Sequence, residues 1–372
     1  MGGALRMRRV GFAAVVAAWG ALLAGCTHGD LFRAPVFGTT DPYSSAGPVR
    51  LTLSAGIDLW PSWLPDGSGI LYTSERLDRL DRDWCLAVLP PGGGRITRTL
   101  CENTKPGEDS VETFQSASVS PDGRVLFVRS SGPARTPGAT EKLVRSRGLM
   151  MGSIAGPLSA QRIFSIPFTP PGYRTLGDLS QIRWLGPNTI VYRGDLVATV
   201  CVFVSIGCRG VYVQSGIALI YQILGEAPVR IVLPGTDYAS SVAAGESGDE
   251  LYYTLGGDSR VYRLTLSTYA VSVVHDFGAA GIARDVDVRG TKLVAVVGGP
   301  IIFNFNSTIN AGIQFDTLGG DVHVVDLSTG ADTTLAAQGR LFRHPALSPA
   351  GNWVVAESKS SGSWDLWLLG VP

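Results

Sequence analysis

Trp63-Leu64-Pro65-Asp66-Gly67-Ser68-Gly69-Ile70-Leu71-Tyr72-Thr73 is echoed by Val119-Ser120-Pro121-Asp122-Gly123-Arg124-Val125-Leu126-Phe127-Val128. A worn copy returns as Leu347-Ser348-Pro349-Ala350-Gly351-Asn352-Trp353-Val354-Val355. Each copy reads as a short apolar strand, a Pro-Asp-Gly type turn and a second apolar strand. Self-similarity of this kind marks a repeat architecture and identifies a scaffold, not a reaction.

Working outward, strand signals recur from Pro48 to the last residue, and no stretch longer than a turn or two reads as an amphipathic helix. The 47 glycines and the low charged content (17%) suit many short strands joined by tight turns. Six units follow, spanning Ile57 to Cys101, Val111 to Leu176, Asp178 to Leu233, Asp237 to Phe277, Ile282 to Ala336, and Phe342 to Pro372. Each begins with an inner strand and a strongly apolar second strand, such as Thr189-Ile190-Val191-Tyr192 or Leu251-Tyr252-Tyr253-Thr254. A variable loop, a third strand such as Arg260–Leu264 or Asp321–Leu327, and an outer strand complete it. The sixth unit is one strand short after Trp364–Leu369, and Val49–Leu53 reads as an outer strand with no unit of its own. The expectation is an all-β, six-bladed β-propeller over residues 48–372, closed by the N-terminal strand pairing with the last blade.

The Trp/Ser-x-Pro-Asp-Gly-x-x-Ile/Val-Leu-Tyr/Phe pattern, with its Asp-Leu-Trp or Val-Tyr-Arg third strand, resembles the TolB-type β-propeller repeat. The likeness is specific in blades one, two and six and weak in three to five. TolB itself carries an α/β domain before its propeller, and residues 1–47 do not read as one. Its Tol–Pal partnership therefore carries over only as an analogy.

Residues 1–25 read as a secretory signal, with a basic head (Arg6, Arg8, Arg9) and a short Ala-rich apolar run from Gly11 to Leu22. The run is shorter than the roughly 20 residues a bilayer span needs. Leu23-Ala24-Gly25-Cys26 resembles the lipobox of bacterial lipoproteins, which implies cleavage before Cys26 and its lipidation. Multiple acyl chains anchor stably where one is marginal. Thr at position 27 favours an outer-membrane anchor by analogy with Gram-negative bacteria, and residues 26–47, rich in Gly, Pro, Ser and Thr, read as a tether. The expected localisation is the cell envelope, lipid-anchored, facing the periplasm or the cell surface.

An exported chain can hold disulfides. Cys85 and Cys101 lie symmetrically about Pro91-Gly92-Gly93-Gly94, as cross-strand neighbours would, and Cys201 and Cys208 flank a tight excursion. These pairs are the expected bridges, although four cysteines allow three connectivities. Closing the first loop is worth about 3 kcal/mol on the chain-entropy model. No Cys-x-x-Cys is present, which weakens a zinc or redox reading.

The full chain has 31 basic and 31 acidic residues; without the three signal arginines, 28 face 31. No basic stripe is evident, so nucleic acid is not an expected partner. The membrane, through the anchor, and an envelope protein or peptide are.

Propeller geometry puts the loops between second and third strands, and those between blades, on one face. There the sequence is long and varied, at Glu75–Asp83, Ser130–Ala160, Gly194–Ser215 and Gly298–Gly320. Long loops on a rigid scaffold carry function. Aligning blades by their turns also places Trp60, Ser116, Gln181, Ser241 and His344 in one ring at the channel mouth, with Arg343 before His344 and Asp285 from blade five. Polar groups with an aromatic in such a ring suit a peptide or small polar ligand. The same residues would also serve simply to solvate the mouth.

No Gly-x-Ser-x-Gly elbow and no His-Glu-x-x-His motif occurs. His275, His323 and His344 are scattered along the chain and give no expected metal site. No cofactor is implied. The favoured reading is a non-enzymatic binding scaffold. The alternative is a carbohydrate-active or hydrolytic propeller using inter-blade carboxylates, for which Asp58, Asp178, Asp237 and Asp285 would have to converge within about 10 Å.

Overall fold

The computed structural model describes residues 48–53, 56–75, 84–92, 95–101, 109–133, 146–154, 160–166, 175–204, 207–225, 229–298, 319–335 and 341–372. In some strands, notably over 109–113, 175–178, 197–204 and 207–215, it describes the backbone alone. The expected signal, Cys26 and the tether lie outside the described residues.

The chain enters with β1 (Val49–Arg50). Blade one is β2 (Asp58–Trp63), β3 (Ile70–Glu75), β4 (Trp84–Leu89) and β5 (Thr97–Cys101). Blade two is β6 (Asp109–Val119), β7 (Arg124–Pro133), β8 (Ser146–Ser153) and β9 (Ala160–Ile166). Blade three is β10 (Thr175–Gly186), β11 (Thr189–Val204), β12 (Gly207–Ile223) and β13 (Val229–Val232). Blade four is β14 (Ala239–Ala244), β15 (Glu250–Leu255), β16 (Arg260–Thr265) and β17 (Ala270–Asp276). Blade five is β18 (Ile282–Arg289), β19 (Lys292–Gly298), β20 (Asp321–Asp326) and β21 (Asp332–Thr334). Blade six is β22 (Phe342–Leu347), β23 (Trp353–Ser358) and β24 (Asp365–Gly370), completed by β1. Six antiparallel four-stranded sheets result. A 3-10 turn at Gly278–Ala280 is the one helical element among the described residues.

The repeated turn forms the same way each time. The N–H of Gly67, Gly123 and Gly351 bonds the carbonyl three residues back (Leu64, Ser120, Ser348) at 2.8–2.9 Å. All three glycines take φ of 69–81°, a region that penalises a Cβ. The motif recurs because the hairpin needs that residue there.

The second strands explain where the core sits. Residues along β3 are buried on both faces, Ile70 and Tyr72 toward blade six and Leu71 toward blade two. Such a strand reads as a continuous apolar run rather than an alternating one. Six hydrophobic clusters form, one in each seam between neighbouring blades. The core is thus a ring around an axis, with the inner strands β2, β6, β10, β14, β18 and β22 next to it.

Closure is as the sequence predicts. Val49 pairs with Leu368 and Arg50 with Trp367, antiparallel. Leu51, fully buried, continues the ladder with its N–H on the Leu366 carbonyl at 2.8 Å. Arg50 reaches the buried Asp365 at 2.9 Å, and Thr52 joins them at 3.3 Å.

Two expected loops are corrected. Gly194–Ser215 is mostly strand, the paired length of β11 and β12 in an extended hairpin. Ser130–Ala160 contains a third strand, β8, paired with both β7 and β9, so Arg147 lies in the sheet. The loops 76–83 and 299–318 lie outside the described residues. The Cys85–Cys101 bridge forms, between directly opposed residues of β4 and β5. At the second expected bridge the side chains lie outside the described part; the backbone sets Cys201 opposite Gly210 and Cys208 opposite Phe203.

Candidate functional site

All six inner strands slip by one residue at the same height. The shifts fall at Leu59/Ser62, Gln115/Ser118, Ser180/Arg183, Ala239/Ser241, Ala283/Asp285 and Arg343/Ala346. A bulge of this kind re-aims side chains and frees peptide groups from the ladder. In four blades the extra residue takes a left-handed φ: Trp60 (51°), Ser116 (52°), Gln181 (54°) and His344 (46°). These are four of the ring residues the alignment picks out, so the equivalence is one of backbone geometry as well as position.

Part of the ring joins blade to blade. The Gln181 N–H donates to Ser116 Oγ at 3.1 Å, and the Val286 N–H to Ser241 Oγ at 3.1 Å. The His344 N–H donates to the Asp285 carboxylate at 3.0 Å. Each bond runs from one blade to the side chain of the blade before it. Ser116, Gln181 and Ser241 are buried. A buried peptide N–H released from the ladder needs an acceptor, and the neighbouring blade supplies it.

The sector between blades six and one differs. Glu357 of β23 is fully buried, and its carboxylate meets His344 Nδ1 and, at 3.4 Å, Arg343 Nη2. Burying a carboxylate is costly without such partners. The Arg343 guanidinium lies 3.5 Å from the Trp364 ring centroid, a cation–π contact. Trp60 and His344 rings are 6.0 Å apart. Trp60, Arg343, His344 and Trp364 stay half-buried, the two indoles packing on the core beneath.

Sequence reasoning missed Glu357 and Trp364. A signal for Glu357 existed: it is a charge within Val354-Val355-Ala356-Glu357-Ser358, a second strand buried along its length. Also missed was the electrostatic setting of Arg183. Burial holds the Arg183 guanidinium (blade three) below the usual arginine range, opposed by Asp287 and Asp285 of blade five, while Arg289 adds to the lowering. The Arg183 guanidinium itself donates to the Ile182 carbonyl at 2.9 Å and to Gln181 Oε1 at 3.3 Å. Asp287 also accepts the Leu347 N–H at 2.8 Å.

Three of the four candidate carboxylates have described side chains. Asp58 is buried at the start of β2, Asp178 belongs to β10 with only its backbone described, Asp237 is exposed before β14, and Asp285 ties blade five to blade six. His275 and His323, far apart in sequence, lie on an outer and a third strand of adjacent blades, and the structure brings them together. Asp332 sits 3.0 Å from His323 Nδ1 and 3.8 Å from His275 Nε2. Among the described residues no group of three His, Cys, Asp or Glu is arranged to hold a metal ion.

These features define the class: a six-bladed β-propeller. Comparison with protein-family models and with curated proteins found no match. Solved structures are similar in fold. A protein assigned as a gluconolactonase superposes with a TM-score of 0.50 at 12% identity, covering 91% of this chain and 97% of that one. An oligogalacturonate lyase in complex with manganese gives 0.49 at 12% identity, covering 92% and 98%. An oligogalacturonate lyase from Vibrio parahaemolyticus gives 0.45 at 10% identity, covering 87% and 93%. At these identities the likeness shows the propeller fold and nothing of activity.

Proposed function

We propose that this chain is a lipid-anchored, TolB-like envelope protein whose propeller binds a protein or peptide segment without catalysis. One observation carries the reading. Ser116, Ser241 and Asp285 use their polar groups to bond the next blade, whereas the blade six–one sector keeps aromatic and cationic surface at the mouth. Trp60, Arg343, His344 and Trp364 provide two indole faces and two nitrogen-bearing groups, a set suited to a peptide's backbone and apolar side chains. Glu357 fixes Arg343 and His344 in place, so little ordering is needed on binding. The lipobox-like Leu23–Cys26 supports the anchor and the envelope location.

The test pairs the mature chain with a Trp60→Ala/Arg343→Ala variant, each incubated with its own envelope fraction. The expected result is a retained envelope protein or peptide, identified by mass spectrometry, whose recovery falls at least about tenfold for the variant, as loss of aromatic and arginine anchors does elsewhere. Equal retention by both chains, or none by either, overturns the reading. Acyl labelling that survives Cys26→Ser overturns the anchor.

A further inference from the structure

Blade four carries a second concavity on the loop-rich face. The connections before β14, between β15 and β16, and before β18 border an open surface depression of about 640 Å³. Tyr238 forms one wall. Its side chain is 68% exposed, yet its backbone is fixed on both sides. Its N–H bonds the Ile217 carbonyl and its carbonyl accepts the Gly256 N–H, both at 2.9 Å. Its φ is 64°, a conformation that strains a non-glycine residue. The fold therefore holds an aromatic ring at the cavity wall, although the ring contributes little buried surface in return.

The remaining walls complete the chemistry. Gly257 and Gly278 line the cavity, and a Cβ at either would meet nothing within 4 Å, so a flat ligand can approach the backbone. The Asp258 carboxylate is saturated, by Arg260 Nε and Nη2 at 2.9 and 2.8 Å and by the Tyr262 hydroxyl at 2.5 Å. That clamp sets the Arg260 fork and leaves Nη1 without a partner among the described residues. Exposed Asp237 likewise has no partner among them and offers acceptors only. The site thus combines an aromatic plate, a carboxylate acceptor and a guanidinium donor. An anion would meet Asp237, and the Arg260 charge is already matched by Asp258. A ring with an apolar C–H face and an edge of hydroxyls, each both donor and acceptor, satisfies all three groups.

We propose that this cavity binds a neutral saccharide unit, its C–H face on Tyr238 and adjacent hydroxyls shared between Asp237 and Arg260. The proposal goes beyond the channel-mouth reading and rests on different residues, so either can fail alone.

The full chain is titrated with cellotetraose, chitotetraose and maltotetraose, and with tetralysine as a charged comparison, by saturation-transfer NMR and calorimetry. At least one tetrasaccharide should saturate, with affinity changing less than about twofold between low and high salt, since no ion pair forms. Tyr238→Ala should weaken it at least about tenfold, and Tyr238→Phe should largely preserve it. Tyr238→Gly should also abolish binding while its melting temperature holds or rises, because glycine relieves the left-handed backbone. Three outcomes overturn the proposal: no tetrasaccharide binding up to about 10 mM, binding unchanged in Tyr238→Gly, or steeply salt-dependent binding of tetralysine alone.

Discussion

Trp60, Ser116, Gln181 and His344 share a backbone conformation that their side chains disfavour. Each sits where an inner strand gains one residue, and the seams on either side keep it there. Residue types at these positions differ, so the shared constraint comes from the bulge rather than from chemistry. Elsewhere a single charge reports its surroundings. Arg260 beside Asp258 holds that carboxyl at about 2, against an ordinary 3.8. A depressed folded pKa contributes stability that is present above the ordinary value and lost as pH falls through about 2. An NMR titration should therefore find the Asp258 midpoint near 2. In Arg260→Ala it should return toward 3.8, and a wild-type midpoint already there would contradict the clamp.

At the scale of strands and turns, the Pro-Asp-Gly hairpins and the apolar second strands were readable because their geometry is local. A turn with φ above zero needs glycine, and a strand buried on both faces needs an unbroken apolar run. The β11–β12 hairpin was harder to read. Gly194, Gly207, Gly210 and Gly216 look like loop punctuation, and strands of 16 and 17 residues exceed the usual length. Ladder pairing over that length overrides the local signal. The blade-to-blade bonds were not readable, since each joins residues 45 to 65 positions apart. They make their own prediction. Ser116→Ala leaves the Gln181 N–H buried without its acceptor and should cost about 1–3 kcal/mol in denaturant unfolding. Exposed Ser267→Ala should cost less than about 1 kcal/mol. Equal losses would show that the ring serine is not a joint.

For the molecule as a whole, stability is distributed around a circle whose weakest place is where the chain ends meet. β1 is only two residues long, and Arg50, Thr52 and Leu51 extend its hold on β24. Arg50→Ala removes the ion pair from the fully buried Asp365 and leaves it hydroxyl partners. The expected loss is about 2 kcal/mol in urea unfolding. An unchanged midpoint would mean that the latch does not hold the ring.

The sequence by itself determined the number of blades, their common order and the closure, because turn and strand preferences act over a few residues and repeat with the chain. The same periodicity aligned Trp60, Ser116, Gln181 and His344, which share a left-handed φ at the inner-strand bulge. The tertiary structure alone decided what those positions do. The His344 N–H on Asp285, the Leu347 N–H on Asp287, and His275 meeting His323 at Asp332 are products of rotation about the axis. That rotation brings residues from separate blades within reach, and no local pattern encodes which of them will meet.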